Sequence, residues 1–473
     1  MKRQTKKILF LMICDLLLLY GALGFTLALR YGANPDRQLI LQHILPFTIL
    51  FLIWLIFFGA FGFYDLRFAK NSKYFLYRLA QVMVINAVIG VLFFYLLSFN
   101  IEPRRNLLLI ATFALIFIFC WRSLLNLLIV RTGATRVLFI GMSAEAIKLA
   151  DYLLAHPQLG QRPVAFLSAH SVSPQDRLGL PAYNTEDDLA LIIRTHSVNS
   201  IVMLPEIKEN RTLVKLLFQI IPLGIPVFEF STYYETLIGK IPASFVGEVW
   251  FLENLIGIRK HFYEFFKRML DMLLAIVAGM IVVLCFPFVA LGMILSTPQD
   301  ILNYKERRAR PGDGIIFFRQ PRVGKNGRVF SFVKFRSQRL GAERISRQIN
   351  EAKEMTDDPR QYWFGKLMRK TYFDELPQLW NVLKGEMSFI GPRPERPEYV
   401  EKLKQKVPFY EMRLLVPPGI TGWAQTKMEN DAAVEDAPEK MQYDLYYIKN
   451  RSFTLDLLII LRTIYILLQR QGR

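Results

Sequence analysis

The sequence predicts a membrane α plus α/β protein. It would comprise a four-helix transmembrane N-terminal unit, a Rossmann-like middle domain, and a C-terminal domain with a re-entrant membrane helix-break-helix and amphipathic interfacial helices. Three observations predict this. The 473-residue chain is 52% hydrophobic yet 21% charged, too apolar for an ordinary soluble protein and too polar for a pure transporter. Four long apolar stretches crowd the N-terminal region, and a fifth, bounded by basic residues, opens the C-terminal part. Between the two, strand-like and helix-like segments alternate.

The four N-terminal stretches fall at roughly residues 8–29, 39–61, 79–99 and 107–130, each long enough to cross a bilayer core. MKRQTKK precedes the first, which is too long and too closely followed by further spans to be a cleaved signal. Basic residues orient the unit. Lys2, Arg3, Lys6 and Lys7 precede the first span; Arg67, Lys70, Lys73 and Arg78 separate the second and third; Arg131 and Arg136 follow the fourth. The opposite loops hold only Arg30, Arg37, Arg104 and Arg105, so both ends of the unit are expected in the cytoplasm. Asp15, inside the first span, is expected to face a neighbouring helix, with a functional intramembrane charge as the other reading.

Residues 132–258 form the expected middle domain. ATRVLFIG, PVAFLS, NSIVMLP and IPVFEF read as strands; AEAIKLADYLLAH, TEDDLALIIRTH and NRTLVKLLFQII read as helices. That alternation predicts a parallel sheet. The first turn begins at Gly141, but Ser143 and Ala146 stand where a dinucleotide fingerprint needs glycine, and no acid follows the second strand. No cofactor is expected there; dimerisation or regulation is.

Residues 259–473 carry the chemistry. The fifth apolar stretch, residues 269–295, would reach about 40 Å as a straight helix, enough to cross a core of ~30 Å. Pro287 interrupts it, and both flanks are basic: Lys260, Lys267 and Arg268 before, Lys305, Arg307, Arg308 and Arg310 after. A helix-break-helix over 267–296 that enters and returns to one face leaves both flanks in water; an ordinary fifth span would strand one. The run KLMRKTYFDELPQLWNVLKGEMSFIGPRP then sets the adjacent acids Asp374 and Glu375 between Arg369 and Arg393. Carboxylates serve as nucleophiles or metal ligands, and arginine and lysine neutralise phosphoryl oxygens. Pro392 and Pro394 fix the backbone on either side of Arg393. Lys334 and Arg336 alternate with Val333 and Phe335 on an expected strand, so both would share a face, either lining the same pocket or meeting lipid headgroups. Arg319, Arg322, Lys325 and Arg328 suit a headgroup-facing loop, and Phe453 to Leu468 suits an interfacial helix.

A net charge of +19 is compatible with nucleic acid, anionic lipid or phosphorylated substrates; no nucleic-acid motif is present and the cations sit beside apolar segments, so lipid and phosphate are favoured. Cys14, Cys120 and Cys285 all lie in apolar stretches and offer neither a disulfide framework nor a zinc site.

DELPQLWNVLKGEMSFIGPRP closely resembles the signature of the bacterial sugar transferases, the monotopic phosphoglycosyl transferases. RQPRVGKNGRVFSFVKFRS (319–337), VPPGITGWAQ (416–425) and YDLYYIKNRSFTLDLLIILRT (443–463) resemble that family's blocks in the family's order. With its N-terminal half, the chain is similar to the large undecaprenyl-phosphate glucose or galactose phosphotransferases of exopolysaccharide pathways. The resemblance implies transfer of a sugar-1-phosphate from a UDP-sugar, glucose first and galactose second, to undecaprenyl phosphate, with UMP released. It implies Asp374 as nucleophile, Mg²⁺ held by Asp374 and Glu375, and phosphate contacts from Arg369 and Arg393. It also implies the re-entrant hairpin, a homodimer, and a multi-pass protein of the bacterial inner membrane with its catalytic domain on the cytoplasmic face. Trp423 would stack on uracil or anchor at the interface. TKMENDAA, with Glu429 and Asp431, departs from common family wording, as does Tyr372 before the acid pair. The rival readings are an oxidoreductase or epimerase using the middle domain, and a non-catalytic membrane scaffold of polysaccharide export.

Overall fold

The computed structural model describes residues 2–32, 37–64, 73–96, 104–131, 134–168, 179–184, 187–245, 247–255, 260–307, 314–342, 360–428 and 436–468. Arg67, Lys70, Arg308, Arg310, Glu429 and Asp431 lie outside them. The chain divides into two compact units, Met1–Phe245 and Val246–Arg473.

In the first unit, helices α1 (Lys2–Tyr31), α2 (Arg37–Ala60), α3 (Lys73–Leu96) and α4 (Arg104–Arg131) are each long and apolar enough to cross a membrane. Their inward faces are aromatic-rich, with Phe47, Phe51, Trp54 and Phe58 of α2 all buried. Leu17, Leu45, Val84 and Leu108 are exposed, as on helices whose outward side meets lipid rather than water. Asp15 does face a neighbouring helix: its carboxylate takes a 2.6 Å bond from Arg122 of α4, both groups buried. An unpaired charge there would be costly, and the pair ties α1 to α4.

The same unit continues into a five-stranded, wholly parallel sheet. Strands β1 (Thr135–Ile140), β2 (Gln161–Ser168), β3 (Ala182–Asn184), β4 (Ser200–Met203) and β5 (Val227–Glu229) lie in the order β3-β2-β1-β4-β5. β1, β2 and β4 are apolar runs buried on both faces, as a covered parallel sheet requires. Between them, helix α5 (Ala144–Ala155) starts where Ser143 Oγ accepts from the Ala146 amide. Helix α6 (Leu189–Thr195) starts where Asp188 accepts from Ala190 and Leu191. Gly141, at φ +94°, ends β1, and a Cβ there would lie 2.9 Å from Leu204 Cβ, so this turn is packed against its own core.

The second unit is built along one long helix. Helices α7 (Arg211–Gln219) and α8 (Phe230–Ile238) close the first unit; α9 (Glu248–Leu255) opens the second, with Phe251 against Phe409 at 4.9 Å. Helix α10 then runs unbroken from His261 to Ser296, with Pro287 inside it. The two helices expected on either side of Pro287 are thus one. A proline removes a single donor and crowds the carbonyl one turn back, which bends a helix without ending it when the flanking turns are apolar and packed. α10 is in contact with the rest of the unit along its whole length. Lys267 pairs with Asp456 at 2.7 Å, Arg268 donates to the Val382 and Leu383 carbonyls at 2.5 and 2.7 Å, and Ala275 packs with Phe330, Phe332 and Leu379. Further along, Val289 and Met293 pack with Phe335, Tyr362 and Met368. Val283, Leu284, Phe288 and Leu295 on its remaining side are exposed.

After α11 (Pro298–Leu302) and α12 (Tyr304–Arg307) comes an antiparallel hairpin, β6 (Phe317–Val323) and β7 (Val329–Phe335). Helices α13 (Trp363–Lys370) and α14 (Leu379–Lys384) flank a 3₁₀ turn, Phe373–Gln378. Two short parallel strands, β8 (Ser388–Ile390) and β9 (Gly419–Thr421), bring distant loops together, with α15 (Pro397–Lys406) between them. Helices α16 (Ala437–Asn450) and α17 (Phe453–Leu468) finish the unit; Tyr447 and Tyr263 both donate to Asp456.

Candidate active site

The acid pair lies in the 3₁₀ turn that follows α13. Tyr372, at φ +57°, reverses the chain in a backbone conformation that residues with a side chain seldom adopt. The turn then buries Asp374, leaving it 6% exposed, while α14 begins directly after Gln378. Three segments supply the cations, two of them distant in sequence from the turn. Lys334, near the end of β7, donates to Glu375 Oε1 at 2.5 Å. Arg393, in the Gly-Pro-Arg-Pro loop after β8, donates to the same oxygen at 3.1 Å. Arg369 on α13 adds positive charge that favours ionised Asp374.

The two acids are treated differently. Glu375 is largely shielded from solvent, its side chain 11% exposed, but Arg393 and Lys334 hold its carboxyl far below the usual carboxylate range. For Asp374 burial dominates and pushes the carboxyl up, against the pull of Lys334; Glu375 pushes it further. Among the described residues, the Asp374 carboxylate meets Ser337 Oγ at 3.5 Å. Burial likewise pulls the Lys334 ammonium down, offset by Glu375. Glu375 is thus a fixed anion organising two cations, and Asp374 the acid whose charge is incompletely satisfied.

The Gly-Pro-Arg-Pro loop is held at three of its carbonyls. Pro392 O accepts from the Gly419 amide at 2.9 Å, Arg393 O from Arg413 at 3.0 Å and Pro394 O from Arg322 at 3.0 Å. A Cβ on Gly391 would sit 2.3 Å from Pro417 O, so only glycine lets the two proline-rich loops meet backbone to backbone. Behind them, Arg413 pairs with buried Asp444 at 2.9 Å, and Lys440 pairs with Glu395 at 2.8 Å. The sequence reading did not single out Arg413, Asp444, Glu395 or Lys440. Each is an ordinary charged residue until folding brings its partner alongside.

Of the expected phosphate contacts, Lys334 and Arg393 come together at the acid pair, and Arg369 lies close enough to act on Asp374. Arg336 does not join them. β7 ends at Phe335, so the alternation that would place Arg336 beside Lys334 stops one residue short. The Arg336 guanidinium is buried, bonded to Asp300 at 2.7 Å, Thr297 Oγ1 at 2.9 Å and the Ile315 carbonyl at 2.8 Å. It is a structural ion pair at the C-terminal end of α10. Arg322 also turns inward, its guanidinium pushed down to about 10 by burial, whereas Arg319, Lys325 and Arg328 are exposed. Trp423 is buried, stacked on Tyr446 at 5.7 Å and faced by Lys427 and Arg462.

Among the described residues no group of three or more His, Cys, Asp and Glu side chains could hold a metal. That does not conflict with Mg²⁺, which commonly uses one or two carboxylates and completes its shell with water and substrate phosphates. Asp374, buried with incompletely satisfied charge, fits such a role. Glu375 fits it poorly, because its bound oxygen already meets two cations.

The fold and site therefore define a membrane protein with a carboxylate-and-cation centre built beside a long apolar helix. A family profile described as bacterial sugar transferase matches residues 262–470. A UDP-N-acetylgalactosamine-undecaprenyl-phosphate N-acetylgalactosaminephosphotransferase of Aeromonas hydrophila is 37% identical over 250 residues, 52% of this chain and 53% of its own. A UDP-glucose:undecaprenyl-phosphate glucose-1-phosphate transferase of Xanthomonas campestris pv. campestris is 29% identical over 69% of this chain and 65% of its own. An undecaprenyl-phosphate galactose phosphotransferase of Salmonella typhimurium is 26% identical over 98% of this chain and 97% of its own. The chain belongs to the bacterial sugar transferase family.

Proposed function

We propose that this protein transfers a sugar-1-phosphate from a UDP-sugar to undecaprenyl phosphate, as the priming step of exopolysaccharide biosynthesis. The observation that carries the reading is the division of labour in the acid pair, Glu375 clamped by Lys334 and Arg393 beside a buried, less satisfied Asp374. An Asp374 carboxylate oxygen attacks the phosphorus bearing the sugar. The bond to the bridging oxygen breaks, and UMP departs with that electron pair. Undecaprenyl phosphate then attacks the aspartyl-bound phosphorus, forming the diphosphate and returning the carboxylate. Lys334, Arg393 and Arg369 neutralise the non-bridging oxygens as charge develops. Asp374 would also hold Mg²⁺, which supplies charge neutralisation to the diphosphate.

Glucose is our first choice of sugar and galactose the second; the relatives' names span both, and N-acetylgalactosamine besides. The protein would reside in the bacterial inner membrane as a homodimer, with its catalytic unit on the cytoplasmic face. α10, bent at Pro287, would enter and leave on that face. If it crossed, the hairpin and helices packed along its whole length would carry Lys334 and Asp374 into hydrocarbon.

The test is UMP release by nanodisc-held protein with undecaprenyl phosphate and Mg²⁺ across a panel of UDP-sugars. Release with one sugar, abolished by EDTA and by Asp374→Asn, is expected. Silence with every nucleotide sugar would favour a scaffold of polysaccharide export instead.

A further inference from the structure

Asn381 on α14 touches none of the groups assigned to the reaction, yet it is 1% exposed and its carboxamide makes three bonds. Oδ1 accepts from the Val333 amide at 3.2 Å; Nδ2 donates to the Ser331 carbonyl at 2.7 Å and to Glu386 Oε2 at 2.6 Å. The hairpin explains the choice of partners. In an antiparallel pair, alternate residues turn their N–H and C=O to the same edge. Ser331 and Val333, paired with Pro321 and Arg319, therefore turn theirs away from β6. Without Asn381 the Val333 amide and the Ser331 carbonyl on that outer edge of β7 would lose these bonds. One side-chain amide, presenting an acceptor and a donor, takes the place of a residue of a third strand.

The placement matters because of what lies on each side. Val333 is the neighbour of Lys334, and α14 grows directly out of the turn that carries Asp374 and Glu375. We propose that Asn381 is a positioning residue, which locks the strand bearing Lys334 to the turn bearing the acid pair and so holds Lys334 on Glu375. The inference rests on the transferase reading of that site. Its absence would let the β7 edge shift against α14, and a shift of about 1 Å at such a contact costs on the order of 100-fold in rate.

The experiment is a double-mutant cycle on the full chain in nanodiscs, scored by UMP release. Asn381→Ser and the isosteric Asn381→Asp, whose second oxygen would face the Ser331 carbonyl and Glu386, are each combined with Lys334→Met. Each Asn381 variant is expected to lower kcat about 10- to 100-fold while leaving the KM for the UDP-sugar within about twofold of wild type. In the Lys334→Met background the same changes should cost less than about threefold. Losses that multiply fully in the double variants, or a raised KM with kcat unchanged, would overturn the inference and leave Asn381 a general structural residue. If both Asn381 variants fail to fold while Lys334→Met folds normally, the role is structural and the inference is again overturned. A wild type that turns over no nucleotide sugar removes the reaction, and the inference with it, and is distinguished from those outcomes by the wild-type rate alone.

Discussion

Lys334 Nζ and Arg393 Nη2 converge on one oxygen of Glu375, at 2.5 and 3.1 Å, although the two cations arrive from a hairpin strand and a proline-rich loop. Glu375 thus joins the strand and the loop through a single oxygen. Replacing it by Gln keeps the shape and deletes the charge, leaving two cations partly buried without their anion. Glu375→Gln is expected to lose on the order of 3 kcal/mol of stability and about 100-fold in kcat as the cations drift. Thermal melting and UMP release check both; a variant of unchanged melting temperature and normal rate would refute the role. Because the folded state holds Glu375 below its unfolded range, its stabilisation is present above the unfolded value. It is lost only as pH falls well into the acid range, so it should survive mild acid.

Asp374 has the opposite sign. Burial raises its carboxyl, so the folded state favours the protonated form. That stabilisation is full below the unfolded value and is lost as pH rises through the folded one. At neutral pH the ionised side chain is therefore a strain on the fold. Asp374→Asn should melt no lower than wild type at pH 7, with any gain shrinking on acidification, while losing about a thousandfold or more in turnover. A melting point well below wild type would show that the carboxylate is structural.

Lys334 is the largest charge keeping Asp374 ionised. Removing it in Lys334→Met should shift the acid limb of the pH–rate profile to higher pH, beyond whatever fall in rate follows from losing a phosphate contact. An acid limb that does not move would mean that Asp374 is governed by other charges.

Much of the first unit was legible because its signals are local. Long apolar runs make α1 to α4, and β1, β2 and β4 are runs of valine, isoleucine, leucine and phenylalanine between helix-forming segments. β3 escaped notice: Ala182–Asn184 is three residues long, only partly buried, and recognisable only from its pairing with β2. The acid pair and the Gly-Pro-Arg-Pro arginine stood out as words in the sequence. What holds them did not. Arg413 reaches Asp444, Asn381 reaches Ser331 and Arg268 reaches Val382, contacts between residues far apart in sequence. Arg336 was misplaced for a related reason. Alternation holds only while the strand continues, and the end of β7 at Phe335 is set by where the chain turns, not by composition.

Arg336 then makes its own prediction. Its guanidinium and the Asp300 carboxylate are 5% and 1% exposed, so removing one strands the other in the interior. Arg336→Met is expected to lose about 3–5 kcal/mol of stability and to lower the yield of folded protein. The fraction that folds should keep the wild-type KM for the UDP-sugar, measured by UMP release. A stable variant with a raised KM would restore Arg336 to the substrate.

The course of α10 is settled by which side of the membrane its two flanks occupy. Phe262, near its start, and Leu302, just beyond its end, are 73% and 82% exposed, so the protein itself does not enclose a cysteine at either. In a background with Cys14, Cys120 and Cys285 changed to serine, Phe262→Cys and Leu302→Cys are each probed with a membrane-impermeant maleimide. Right-side-out and inverted vesicles are compared. The packing of both halves of α10 on one unit predicts that both sites react in inverted vesicles and neither reacts from outside. Opposite sidedness would make α10 an ordinary fifth span and would place the Asp374 turn on the far side from one of its own supporting helices. The same vesicles carrying Pro287→Ala test the proline: a helix bent at that point should lose shared sidedness in part of the population, whereas one bent by packing alone should keep it.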